Sequence, residues 1–494
     1  MVQIVVFSFG KVYFCSENSF EKMLKRRIED TLREWKDTPE HLPLVIMGLR
    51  QCGKTFIVRK FAEENYKYVY YMNFTKQPKR IGAFLGSKEV DAILLELSAQ
   101  IKGANFVPGQ TCFIFDEIQD CPDARTSLKF FKEDGRFDVI ATGSLLGVQG
   151  YGEKKKKLKR KREDDIKLGK NSVPVGYEDI VQMYPLDFEE FAWANGVGSI
   201  VIDALRNCFE KKKEVDTPIH NRMMALFELY LIVGGMPAAV STYLETKNLR
   251  TVADEQNAIV QLYKRDISKY DEGDRLYLND IFDLIPSELN AKNKRFIMKK
   301  LNEKARFDKC YESFLWLKNA GVALPVNVVE ELRAPLLFSK SQNLFKLFSN
   351  DVGLLAAQYG NEIQLEILKH EVDINFGSIY ENVAAQELTA HGYTLYYYNS
   401  KKFGELDFVI EDADKVLPIE IKSGKDYYRH NAMDNILRHE SFNMERGYVF
   451  CNGNIEVQGK ITYFPIYMIM FVQKKTLPSE IIFDTDFSDL NKMV

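Results

Sequence analysis

The chain has 494 residues, 46% of them hydrophobic and 28% charged, and a formal net charge of −3. That length exceeds what one hydrophobic core supports and implies about three domains, while the near-balanced charge excludes a global nucleic-acid footprint, so any such contact has to be local. Seven scattered cysteines without a C-x-x-C pair exclude a disulfide scaffold or zinc ribbon and suit the reducing cytoplasm, and no stretch approaches the roughly 18 to 20 apolar residues of a membrane span.

Residues 1–23 read as an N-terminal extension. The opening Met1-Val2-Gln3-Ile4-Val5-Val6-Phe7 has no basic region ahead of its apolar run and makes a poor signal peptide, and Met23 is an alternative start. Residues 24–36 predict an amphipathic helix with Leu24, Ile28, Leu32 and Trp35 on one stripe, suited to packing beside the domain that follows.

Leu44 to Thr55 reads strand, then G-x-x-x-x-G-K-[ST], then helix, which is the pattern of a P-loop. Gly48 and Gly53 let the backbone curl so that the N–H groups of Gly48, Leu49, Arg50, Gln51, Cys52, Gly53, Lys54, Thr55 and Phe56 surround phosphate oxygens. Lys54 supplies positive charge for the β- and γ-phosphates, Thr55 a hydroxyl for Mg²⁺, and the helix opened by Phe56 turns its dipole to the anion. Cys52 inside this loop needs no redox role; a small side chain suffices there. Tyr66 to Phe74 predicts a further strand and Val90 to Ile101 a helix.

Thr111-Cys112-Phe113-Ile114-Phe115-Asp116-Glu117 is an apolar run ending in two carboxylates, as expected where a buried parallel strand delivers acids to the edge of a sheet. Asp116 would hold the metal through water and Glu117 would polarise the attacking water, which points to ATP hydrolysis beyond binding. A helix over Ala124 to Phe131 and a strand over Phe137 to Ser144 continue a β-α alternation that implies a parallel sheet covered on both faces. Thr142 and Ser144 then emerge beside the acidic strand, where they sense the γ-phosphate or cap the next turn.

Residues 151–175 form a basic insertion. Lys154 to Arg162 carries eight basic residues in nine, broken by Leu158, and the run then turns acidic. It suits a nucleic-acid backbone or a solvated surface loop whose charges partly cancel. Tyr184 to Phe191 resumes order, with Asp187 as a helix N-cap. Met223 to Val233 is an apolar helix that stops at Gly234-Gly235-Met236-Pro237, consistent with a helical lid over 196–275 or with a simple helix end. Several helices span 253–318, one with Phe307, Cys310, Tyr311, Phe314 and Leu317 on a face and closed by Gly321. Short strands over 322–329 and 344–348 follow, so 276–360 reads as a winged-helix module that holds DNA or braces its neighbours.

The final segment, 361–494, carries a second constellation. A helix from Gly377 to Leu388 precedes strands at Leu395–Tyr398, Gly404–Ile410 and Pro418–Gly424. The two-residue repeat of a strand puts Glu420 and Lys422 on one face. Asp407 and Glu420 on neighbouring strands would bind a divalent ion, Lys422 would orient a water, and Glu381 would reach in from the helix, giving a metal-assisted phosphodiester site. Surface strands also alternate Glu and Lys, so the preserved pattern does not by itself mean cleavage.

The motifs G-L-R-Q-C-G-K-T, F-I-F-D-E-I-Q, A-T-G-S, Y-P-L-D-F-E-E-F, G-G-M-P, G-E-L-D-F-V and I-E-I-K-S-G together resemble bacterial and archaeal AAA-type ATPases related to the archaeal and STAND-like clade. Those end in a domain of the PD-(D/E)xK nuclease superfamily whose role is mostly unassigned. The resemblance runs from about Leu24 to near the C-terminus, although the Lys-rich loop is longer than usual. It implies an α/β chain: an AAA-type P-loop core over 24–195, a helical lid, a winged-helix region and a restriction-endonuclease-like domain over 361–494. It also implies Walker A residues Gly48, Gly53, Lys54 and Thr55, Walker B residues Asp116 and Glu117, sensor Ser144, and a nuclease-type site at Asp407, Glu420 and Lys422. Arg265 is one of several candidate arginine fingers. ATP and Mg²⁺ are the expected cofactors. DNA, a protein partner and further copies of the chain are candidate partners. Two functions follow: ATP hydrolysis coupled to a nuclease-like module acting on DNA, or an ATP-dependent switch or scaffold whose C-terminal domain docks a partner without cleaving it.

Overall fold

The computed structural model describes residues 24–144, 176–268, 277–291, 294–301, 307–360, 376–413 and 415–475. The N-terminal extension and the Lys-rich run lie outside these residues.

The first unit contains α1 (Ile28–Asp37), β1 (Leu44–Gly48), α2 (Lys54–Asn65), β2 (Tyr68–Asn73), α3 (Gly82–Leu85), α4 (Val90–Gln100), β3 (Thr111–Asp116), α5 (Pro122–Asp134), β4 (Asp138–Ser144) and β5 (Asp179–Met183). The five strands pair in parallel in the order β2-β3-β4-β1-β5. Strand alternation sorts their side chains into two cores. Leu44 and Ile46 of β1 and Cys112 and Ile114 of β3 pack with Ile57 and Phe61 of α2 on one face. Val45, Met47, Phe113 and Phe115 pack with Ile93 of α4 and Phe131 of α5 on the other. Both faces are covered, which is why these strands read as unbroken apolar runs. Pro122 starts α5 and Gly135, at φ +68°, ends it, the usual asymmetry of helix ends.

Next come α6 (Phe188–Ala194), α7 (Ser199–Lys211), α8 (Thr217–Val233), α9 (Pro237–Thr246), α10 (Leu249–Ser268), α11 (Leu278–Asn290) and α12 (Phe307–Asn319). Asp187 caps α6 as expected, and Glu190 completes a reciprocal capping box. The Gly-Gly break after α8 does more than end a helix. Gly234 adopts φ +68° against Asp351 and Gly353, and a Cβ on Gly235 would collide with the Leu186 carbonyl. Gly235 N donates to Asp351 Oδ2 at 2.7 Å, and Leu186 N donates back to Gly235 O at 2.7 Å.

The last unit contains β6 (Ala323–Val329), β7 (Lys340–Ser349), α13 (Val352–Tyr359), α14 (Phe376–Ala390), β8 (Tyr396–Ser400), β9 (Gly404–Asp412), β10 (Lys415–Ile421), α15 (Asn431–Arg438), β11 (Gly447–Cys451), β12 (Glu456–Gln458) and β13 (Ile461–Pro465). Eight strands form one mixed sheet in the order β12-β13-β11-β10-β9-β8-β6-β7. The hairpin read above as part of a winged-helix module over 276–360 belongs to this sheet. The β6–β7 hairpin forms, but β6 pairs in parallel with β8 through Asn327↔Tyr396 to Val329↔Tyr398, so the sheet crosses residue 360. Sequence periodicity reveals a hairpin but not its third neighbour, because that pairing spans about seventy residues of chain.

The helices between the sheets touch both. Tyr263 of α10 donates to Arg50 O at 2.9 Å, while Tyr230 of α8 donates to Glu387 of α14 at 3.1 Å. No helix among the described residues is long and apolar enough to cross a membrane. The six described cysteines are free thiols.

Candidate nucleotide site and C-terminal carboxylate pocket

Between β1 and α2 the loop is shaped by close approach and by left-handed backbone. A Cβ on Gly48 would strike the Met183 carbonyl of β5, and Gly53 sits at φ +98° just before α2. Gln51 also takes positive φ, at 64°. Leu49 and Cys52 are buried in the core, so of these two only the backbone is available to an anion. Phe56 is largely exposed. The Arg50 side chain turns away to an ion pair with Asp266 of α10. Lys54 is buried, and its Nζ donates to the carbonyls of Gly48 at 3.0 Å and Leu49 at 2.6 Å.

Strand order brings the second half of the site to this loop. β4 lies between β1 and β3, with Asp116 opposite Thr142. Asp116 Oδ1 accepts from Thr55 Oγ1 at 2.9 Å and from Thr142 Oγ1; its Oδ2 accepts from Tyr71 at 2.5 Å and Asn73 at 2.6 Å. The Thr55 hydroxyl and the Asp116 carboxylate are therefore close enough to serve one ion. Glu117 follows at φ 56° and accepts from Gln119. Ser144, at the end of β4, is buried. Tyr71 and Asn73 were not singled out from sequence. Their position one strand away becomes visible only once β2 is known to flank β3.

A second cluster lies in the C-terminal sheet. The register Ile419↔Phe408 sets Glu420 beside Asp407, and Ile421 N donates to Asp407 Oδ2 at 2.9 Å. Lys422 Nζ is 2.9 Å from Glu420 Oε2. Glu381, Asp407 and Lys422 line a cavity of about 330 Å³ with Lys294, Gly377, Ile421, Ser423, Gly424, Asp426 and Tyr427. The structure thus groups the four residues picked from sequence, and adds two lysines that were not. Lys294 pairs with Glu381, and Lys346 of β7, fully buried, lies 2.8 Å from Glu405 Oε1 and 3.6 Å from Glu381 Oε2. Burial beside Asp407 pushes the carboxyls of Glu381 and Glu420 up. Burial alone would raise Asp407 too, yet the ammonium groups of Lys346, Lys294 and Lys422 hold it below its ordinary value. The available signal for Lys346 was a lone cation within Leu344-Phe345-Lys346-Leu347-Phe348, since a buried lysine requires an anion.

Residues 40–192 match the AAA domain family. This region is an AAA-type P-loop ATPase domain. Residues 224–364 and 376–469 match two domains of unknown function, DUF8612 and DUF4143. Similar solved structures include a Walker-type ATPase of Pyrococcus abyssi, at 14% identity and TM-score 0.39, covering 69% of this chain and 97% of that one. Another is the RuvB Holliday junction branch migration motor of Thermotoga maritima, at 11% identity and TM-score 0.29, covering 67% and 94%. No curated protein matches the chain.

The AAA domain is tied to α14 and the residue following it by buried charge. Arg26, ahead of α1, donates to Cys52 O of the P-loop at 3.0 Å, to Tyr184 O at 2.7 Å and to Glu190 at 3.1 Å. Arg27 pairs with Asp187 at 3.3 Å, and His391 beyond α14 is 3.6 Å from the same carboxylate. Burial would raise Asp187, but Arg27 and His391 hold it far below the usual carboxylate range. Glu387 of α14 accepts from Phe188 N at 2.9 Å. Reading 24–36 as an apolar stripe missed Arg26 because its partners lie about 26 to 164 residues away.

Proposed function

We propose that this chain is a Mg²⁺-dependent ATPase whose turnover repositions the C-terminal sheet. The observation that carries this is the 2.9 Å contact between Thr55 Oγ1 and Asp116 Oδ1 at the mouth of a loop that also presents Lys54. The residues fit the metal–nucleotide pair: a hydroxyl and a carboxylate side by side, and a lysine held by the neutral carbonyls of Gly48 and Leu49 and the Cys52 sulfur. When bound, Mg²⁺ neutralises charge on the β- and γ-phosphates. The N–H groups from Gly48 to Phe56 cradle the phosphates, and Lys54 exchanges its carbonyl partners for phosphate oxygens. Glu117 accepts a proton from, and orients, the attacking water, while Thr142 and Ser144 stand where the γ-phosphate departs. Tyr263 and Asp266 grip Arg50, so the loop's shape is felt by α10; Arg26 ties the same loop to α6.

For the C-terminal domain, the β-sheet around Asp407, Glu420 and Lys422 supports a restriction-endonuclease-like fold. Of the two roles, docking a DNA or protein partner is favoured over cleavage, because its carboxylates are already matched by lysines. Metal-dependent cutting of duplex or branched DNA, lost in Lys422→Ala, would reverse that choice.

Phosphate release tests the ATPase reading. Glu117→Gln is expected to retain nucleotide while turnover falls about 10²- to 10⁴-fold. Equal turnover in both proteins rejects Glu117 as the base, and none in the wild type rejects hydrolysis altogether. Solution mass with and without nucleotide reports whether copies assemble.

A further inference from the structure

We infer that the C-terminal pocket carries built-in counter-cations, the ammonium groups of Lys294 and Lys346, in the place a divalent ion would take among Glu381, Asp407 and Glu420, and that it binds neither Mg²⁺ nor Mn²⁺ while they are there. This rests on the restriction-endonuclease-like reading of the sheet and is independent of ATP hydrolysis.

Four carboxylates, Glu381, Glu405, Asp407 and Glu420, face three ammonium groups. Glu381, the ligand offered by α14, has Lys294 on one oxygen and Lys346 at 3.6 Å from the other. Lys346 is 2.8 Å from Glu405, and Lys422 is 2.9 Å from Glu420. Asp407 is engaged by the Ile421 amide. Lys346 is fully enclosed, and a buried ammonium persists only where anions hold it. Among the described residues, no group of three or more His, Cys, Asp or Glu side chains is arranged to hold a metal ion.

Electrostatics gives the reason. The carboxylates have nearly the cationic charge they need, so a dication would turn the cluster from net negative to net positive and lie within a few ångströms of two like charges at low effective dielectric. Neither lysine belongs to the strands that bear the Asp-Glu-x-Lys pattern. Lys346 arrives because the β6–β7 hairpin joins the sheet, and Lys294 arrives on the segment after α11. The nuclease-type pattern and the cations that fill it therefore come from different parts of the chain.

The test counts Mn²⁺ bound to the full-length protein with a non-hydrolysable ATP analogue, reading free Mn²⁺ by electron paramagnetic resonance. The wild type is expected to bind one ion per chain, at the nucleotide. Lys294→Gln with Lys346→Met is expected to take a second, about 100-fold tighter than any binding at the wild-type pocket, and to lose it when Asp407→Asn is added. Lys294→Gln alone, which leaves the buried lysine in place, is expected to show the second ion more weakly, and it decides the matter should the double variant not fold. A wild type that binds two ions, the second removed by Asp407→Asn, overturns the inference. So does a folded lysine variant that still binds one. Failure of the nucleotide-site reading looks different: the wild type then lacks the nucleotide-linked ion, whatever the lysine variants do.

Discussion

The candidate nucleotide site and the C-terminal pocket are built from the same residue types and wired in opposite ways. In the AAA domain, Asp116 is held by four neutral donors, Thr55, Tyr71, Asn73 and Thr142, and Lys54 by two backbone carbonyls. In the C-terminal pocket, carboxylate meets ammonium directly: Glu381 with Lys294 and Lys346, and Glu420 with Lys422. Neutral donors fix a charged group's direction without cancelling its charge, so it remains able to attract an ion or a phosphate. Opposite charges cancel, and what remains is a structural brace. On the proposed reading, the difference separates a site open to a charged ligand from one whose carboxylates are largely paired with lysines.

The sharpest way to break this contrast is at Lys346. Lys346→Met should leave the buried Glu381 with Lys294 as its remaining ammonium partner and half-exposed Glu405 without one, and cost about 3–5 kcal/mol of unfolding free energy, read as a lower denaturant midpoint; an unchanged midpoint would mean the pair is no brace. Asp351 offers an intermediate case, a buried carboxylate with only backbone donors, Gly235 N and Leu354 N. Burial pushes it up to about 6 from an ordinary 3.8. A carboxyl raised on folding favours the folded state fully below about pH 3.8, and that contribution is lost as pH rises through about 6. The lost contribution is about 3 kcal/mol. Asp351→Asn should flatten the stability–pH slope across that window, and an unchanged slope there would show that the amides already hold the charge. The smallest effect belongs to the nucleotide site. Tyr71→Phe removes one of four neutral donors and should cost about 0.5–1.5 kcal/mol of stability, with nucleotide still bound; a loss matching that of Lys346→Met would erase the distinction.

What could be read from the chain follows the range over which each interaction acts. The proposed phosphate cradle is contiguous, so the pattern from Gly48 to Phe56 is visible locally, and the apolar run to Asp116 and Glu117 marks a buried strand end. The helices and strands around them agree with their periodicity to within a few residues. Tyr71, Asn73 and Arg26 were invisible because they depend on which strands and helices are neighbours. The Gly234-Gly235 break was legible as punctuation, whereas its packing against Leu186 and Asp351 required tertiary structure. At the C-terminal pocket, alternation placed Glu420 with Lys422, but Lys346 entered only through the unexpected membership of the β6–β7 hairpin in the sheet.

That membership has a practical result for anyone dissecting the protein. A proteolytic nick or gene fragment that severs the chain at residue 361 discards two of the eight strands and leaves Tyr396–Tyr398 with bare amides and carbonyls where Asn327–Val329 had lain. Such a naked apolar margin recruits other chains and precipitates. The shortest piece with its strand pairing intact begins ahead of Ala323, and it brings its own buried lysine along.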